Sequence, residues 1–183
     1  DITDSAAGAT AFASGIKTYN GAIGVANDST KVKNLVEIVS LQNIKTGLIS
    51  TSSIQHATPA SFYAHVFNRG SYEDIAADMV TSDIDFFAGG GSKFFNKRKD
   101  GKNLLENLEA NGFRIETSTL GDFAGIKKYS KMGYLLAENH LDPVAKGRGD
   151  FLPKATELGI QFLNKDADNS NFFMMIEGSQ IDW

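Results

Sequence analysis

The run Thr46-Gly47-Leu48-Ile49-Ser50-Thr51 decides the fold. It is short and apolar, bounded by polar residues, and reads as a buried strand. Helical patterns flank it. Before it, Asn34 can cap a helix over roughly 35–42, where Leu35, Val36, Ile38, Val39 and Leu41 are apolar. After it, Pro59 to Val66 reads as a helix with proline in the first turn. The alternation then recurs. A helix over Tyr72 to Val80 leads to the strand Ile84-Asp85-Phe86-Phe87-Ala88, closed by Gly89-Gly90-Gly91. A helix over Lys102 to Asn111 leads to a weak strand at Phe113-Arg114-Ile115-Glu116. Gly133 to Ala137 is another strand, Pro153 to Leu163 a helix, and Phe172 to Ile176 a last apolar strand. Strands alternating with helices of about ten residues predict an α/β fold with a mostly parallel sheet. The strand runs are continuously apolar, so helices should cover both faces of the sheet. No repeat, low-complexity block or linker interrupts the pattern. The expectation is a single α/β domain over residues 1–183.

Composition agrees with a packed domain. Of the 183 residues, 42% are hydrophobic and 22% charged, enough to bury a sizeable core. The net charge of −4 argues against a nucleic-acid partner, which would usually require a basic face. Absence of cysteine removes disulfides, thiolate metal sites and a cysteine nucleophile together. No stretch reaches the roughly 18 consecutive apolar residues of a membrane helix. The chain opens at Asp1-Ile2-Thr3 without a start methionine or signal peptide and stops just after an apolar run. Neither end reads like a natural terminus, so a fragment of a longer chain is expected.

Three segments carry candidate chemistry, each where an open α/β sheet places its ligands, beyond the carboxyl ends of strands. In the first, Thr3-Asp4-Ser5-Ala6-Ala7-Gly8-Ala9-Thr10-Ala11, an alanine-rich helix spans Ser5 to Ser14 and Gly15 can end it. Either Asp4 or Ser5 can cap it, and serine caps are common. The same serine hydroxyl beside free backbone N–H groups would form an anion site suited to phosphate. No histidine lies nearby to activate the serine, which makes a metal the expected activator. Turns and a short hairpin follow over residues 17–31. The second segment is Gln55-His56-Ala57-Thr58-Pro59-Ala60 with Arg69 downstream. A threonine hydroxyl suits a hard cation, imidazole suits zinc or a supporting place near the metal, and arginine can hold two phosphate oxygens. Alternatively Thr58 is a cap, His65 a helix-face residue and Arg69 a solvated charge. The third is Glu177-Gly178-Ser179-Gln180-Ile181-Asp182, with two carboxylates past an apolar strand. Either a metal or water must satisfy them. Gly89-Gly90-Gly91 lacks a nucleotide-loop pattern and reads as a turn with close backbone packing. His140, Asp142 and Arg148 lie in a loop-rich region and are expected on the surface.

Taken together, the segments resemble the alkaline phosphatases. Asp4-Ser5-Ala6-Ala7, followed by Gly15-x-Lys17-Thr18-Tyr19-Asn20-Gly21, is similar to that family's nucleophile signature. His56-Ala57-Thr58-Pro59-Ala60 with Ala64-His65 and Asn68-Arg69 is similar to its second block. Ile84-Asp85 with the glycine triplet, and Glu177-Gly178-x-x-Ile181-Asp182, complete the set in the family's order.

The resemblance implies a three-layer sandwich that is incomplete here, and phosphate monoester hydrolysis through a phosphoserine on Ser5. Asp4 would steady Arg69, and Arg69 would grip the phosphate. The implied cofactors are two Zn2+ ions and one Mg2+. Thr58 and Glu177 would be magnesium ligands, Asp182 a zinc ligand, and His56 would act on the magnesium shell through a water. The partners implied are a small phosphomonoester and inorganic phosphate, with a homodimeric parent in the periplasm or outside the cell. The family's aspartate bridging zinc and magnesium would precede Asp1, and its zinc-binding histidines would follow Trp183. The isolated chain is therefore expected to bind zinc poorly and hydrolyse little. Related hydrolases acting on phosphodiesters or sulfate esters, and a non-catalytic anion-binding fragment, are the alternatives.

Overall fold

A computed structural model describes residues 2–166 and 171–181. Five strands form one sheet: β1 (Lys45–Ser53), β2 (Phe86–Gly90), β3 (Phe113–Glu116), β4 (Lys131–Leu135) and β5 (Phe172–Glu177). Their order is β3-β4-β2-β1-β5, and every adjacent pair is parallel. The helices are α1 (Ser5–Ser14), α2 (Leu35–Ser40), α3 (Ala57–Ala60), α4 (Tyr72–Val80), α5 (Lys93–Asn96), α6 (Leu104–Ala110), α7 (Phe123–Ile126) and α8 (Phe151–Leu163). The α/β fold with a parallel sheet is the one expected.

Side chains alternate across each strand, so consecutive apolar residues feed two separate cores. Leu48 and Phe87 face one core with Ile75, Met79 and Leu108. Ile49 and Phe86 face the other with Ala155, Leu158 and Phe162 of α8. Helices thus cover both faces, giving three layers.

Several boundaries moved by a few residues, among them the strand expected over 133–137, which runs over Lys131–Leu135. Two of the shifts have a visible physical cause. The helix expected over 59–66 stops at Ala60. Tyr63 donates its hydroxyl to the Ile54 carbonyl at 3.0 Å, and Val66 exchanges backbone bonds with Ile23 at 2.9 and 3.0 Å. These contacts pull the chain out of the helix. The strand expected over 84–88 runs over 86–90 instead, so Gly89 and Gly90 are strand residues. Close packing explains the glycines. A Cβ on Gly90 would overlap the Asn139 carbonyl oxygen, and Gly91 has φ +97°. The expected hairpin is a narrow one, with Val25 bridged antiparallel to Lys31.

Candidate active site

Local capping settles the role of the first segment. Asp4, not Ser5, is the N-cap of α1, and its Oδ1 accepts from the Ala7 N–H at 2.9 Å. Ser5 is the first helical residue, exposed, with its hydroxyl released from capping. The other Asp4 oxygen accepts from the Gly21 N–H at 3.0 Å and from Arg69 Nη1 at 3.1 Å. Burial works to raise the Asp4 pKa, but the Ala7 and Gly21 N–H bonds and the guanidinium outweigh it and hold it below its ordinary value. Arg69 is fixed at its backbone too, where its N–H donates to the Gly21 carbonyl at 2.7 Å. The loop around Gly21 therefore positions both members of the ion pair.

Arg69 Nη1 also donates to Ser5 Oγ at 2.8 Å, and Nη2 lies 3.3 Å from His56 Nε2. Guanidinium has no acceptor, so His56 Nε2 accepts and the His56 proton sits on Nδ1. Burial lowers the His56 pKa, opposed by Glu177 and aided by Arg69 and His140. His56 precedes α3 and stands edge-on to His140, with ring centroids 5.6 Å apart. His140 is half-buried rather than on the surface, and its Nδ1 accepts from the Ser53 N–H at 2.9 Å. His65 is no helix-face residue. It pairs with Glu37 at 3.1 Å and bonds the Gly24 carbonyl at 2.7 Å, bracing the loop behind Arg69. Arg148, expected on the surface, donates to Gln180 Oε1 at 2.5 Å.

Glu177 ends β5, directly opposite Ser50 of β1 in the parallel register. Ser5, Thr58 and Glu177 line one groove of about 570 Å³ between α1 and β5, walled by Phe12, Phe62 and Met175. The structure thus brings Asp4, Ser5, His56 and Arg69 into one bonded cluster and sets Thr58 and Glu177 along the adjoining groove. Asp182 lies outside the described residues. No cluster of three or more His, Asp or Glu suited to a metal occurs among the described residues.

The sequence model of the alkaline phosphatase family matches residues 1–183. The chain belongs to the alkaline phosphatase family. It is 41% identical to alkaline phosphatase 3 of Bacillus subtilis over 191 residues, covering all of this chain and 40% of that protein. It is 62% identical to the solved alkaline phosphatase of the Antarctic bacterium TAB5, with TM-score 0.97, covering all of this chain and 53% of that one. A variant of the TAB5 enzyme has Mg bound in its M3 site. The cold-active Shewanella alkaline phosphatase is 35% identical with TM-score 0.86, at 44% coverage of that chain. The chain therefore spans roughly half the length of these alkaline phosphatases, or less.

One residue was placed wrongly from the sequence and one signal was not singled out. His140 was expected on the surface because its neighbours show no ligand spacing. The hydroxyl run Ser50-Thr51-Ser52-Ser53, fully buried at the carboxyl end of an apolar strand, was a usable signal. Buried polar groups need partners, and those of Ser50 and Ser52 include Glu177.

Proposed function

We propose that this chain is the nucleophile-bearing half of a phosphomonoesterase domain, in which Ser5 attacks phosphorus and becomes a phosphoserine. The observation that carries this is Arg69 Nη1 within hydrogen-bond distance of both Ser5 Oγ and Asp4. A phosphate bound to that fork would sit against the serine oxygen, with Asp4 holding the fork in place. Phosphoryl transfer needs positioning and charge stabilisation above all. The bond from Ser5 Oγ to phosphorus forms as the ester oxygen leaves, and water later cleaves the phosphoserine to release inorganic phosphate. Arg69 and the N–H groups at the start of α1 would hold the equatorial oxygens, where the helix end favours negative charge.

Thr58 and Glu177 offer hard oxygen donors on the same groove, a chemistry that suits Mg2+. His56, bonded to Arg69, would act on that shell indirectly, through a water. The two zinc ions would draw on Asp182 and on residues supplied by the rest of the parent. Bound metals would neutralise charge on the attacking and leaving oxygens. The described donors do not make a tetrahedral zinc site, since single carboxylates do not meet its ligand count. The isolated chain would then turn over little or no substrate. We place the parent in the periplasm or outside the cell and read it as a homodimer, as the resemblance implies. No helix among the described residues is long and apolar enough to cross a membrane.

Hydrolysis of p-nitrophenyl phosphate at alkaline pH with zinc and magnesium tests this reading. The full-length parent should show metal-dependent turnover, faster on this monoester than on a bis-ester or a sulfate ester. Inactivity of the parent would refute the function. Turnover by the isolated chain that Ser5→Ala abolishes would refute its dependence on the other half.

A further inference from the structure

Among the described residues, Glu177 is held through one oxygen only. Ser50 Oγ donates to Oε2 at 2.6 Å, Ser179 Oγ donates to it at 2.8 Å, and Ser52 Oγ lies at 3.4 Å. All three described hydrogen bonds to the carboxylate end on Oε2. The serines are themselves fixed. Ser50 Oγ accepts from the Ser52 N–H at 3.1 Å and lies 2.8 Å from Ser52 Oγ. The Ser179 N–H donates to Thr51 Oγ1 at 2.9 Å. Ser50 and Ser52 are fully buried and Ser179 is 6% exposed. Residues i and i+2 of a strand share a face, and Ser50 is in register with Glu177, so β1 is the rigid part of this cage.

We infer that Ser50 and Ser179, backed by Ser52, are positioning residues that present Glu177 Oε1 to a divalent cation. The inference rests on the proposed magnesium role of Glu177 and goes beyond it. Two hydroxyl donors on one oxygen fix the carboxylate plane and leave the second oxygen to the cation. Loss of such support costs a metal site about 10- to 100-fold in affinity. A purely structural role is the competing explanation, because a half-buried carboxylate gains from donors whether or not a metal binds. Ser53 separates the two. It is buried on the same strand, and its hydroxyl has no hydrogen-bond partner among the described residues.

The test is Mg2+ titration of the full-length metal-stripped protein, followed by thermal unfolding, for wild type, Ser50→Ala, Ser179→Ala, Ser52→Ala and Ser53→Ala. The Mg2+ concentration for half-maximal stabilisation should rise about tenfold or more for Ser50→Ala and Ser179→Ala. It should rise less for Ser52→Ala and stay unchanged for Ser53→Ala. Variants that unfold at lower temperature without metal yet keep the wild-type Mg2+ dependence would overturn the inference. Wild-type protein with no Mg2+ response would overturn the magnesium role itself, and the serine cage with it. If Ser50→Ala does not fold, Ser179→Ala alone decides, since it leaves β1 intact.

Discussion

The two margins of the sheet are built differently. At β3 burial alternates: Phe113 and Ile115 point inward, while Arg114 and Glu116 pair outside at 2.7 Å. That is how an edge strand is blunted against pairing with another strand. At β5 the run Phe172-Phe173-Met174-Met175-Ile176 is apolar throughout and no residue is fully buried, with Ile176 43% exposed. Such a run matches an interior parallel strand. Ser5, Thr58 and Glu177 line the groove on this second margin. Edge chemistry therefore marks the closed side, and interior chemistry without full cover marks the side that holds the candidate site.

Stability should reflect this contrast, most strongly where cover is complete. Phe86 is fully buried and packs at a tilt against Phe162 and Tyr134, with centroids 5.7 and 6.0 Å apart. Phe86→Ala should cost ~3–5 kcal/mol in urea unfolding. Gly133→Ala on β4 should cost about 1–3 kcal/mol through overpacking, because the new methyl would overlap the Phe87 ring and lie 2.7 Å from Ile115 Cδ1. A neutral result at either position would mean that the covered part of the sheet is looser than its burial indicates.

At the other margin the effects shrink. Asp4→Ala removes the cap of α1 and should cost ~1–2 kcal/mol at neutral pH. The Asp4 pKa is lowered on folding, because hydrogen bonds from Ala7, Gly21 and Arg69 outweigh the opposing effect of burial. The unfolded state thus binds more protons in the acid range, and stability rises with pH there. The part of the cost tied to the Asp4 charge is present above the ordinary carboxylate value and fades as pH falls through the folded value. Parallel wild-type and variant melts across that range check the sign. Ile176→Ala should cost only about 1 kcal/mol, given its partial exposure. A loss there as large as at Phe86 would erase the distinction between the covered centre of the sheet and its open margin.

Much of this fold is legible in the sequence. Periodicity located all five strands, since β1 and β5 are apolar runs bounded by turn residues. Short helices escaped: α5 and α7 have four residues each, too few to show a period. The false extension of α3 had a tertiary cause, the Ile23–Val66 bridge, which no local pattern encodes. Ser5 and Arg69 were legible as chemistry, but their meeting depends on the Gly21 loop that fastens both Asp4 and Arg69. His140 was illegible because its place beside His56 arises from the packing of the loop after β4 on β1.

Trapping the phosphorylated enzyme bears most directly on Ser5 as nucleophile. Full-length parent would be mixed with p-nitrophenyl phosphate, quenched in acid and digested, and its peptides read by mass spectrometry. A phosphoryl group on Ser5, absent from Ser5→Ala and accompanied there by loss of turnover, is the predicted result. Undiminished turnover in Ser5→Ala, with no phosphoryl group on Ser5 of the wild type, would contradict it.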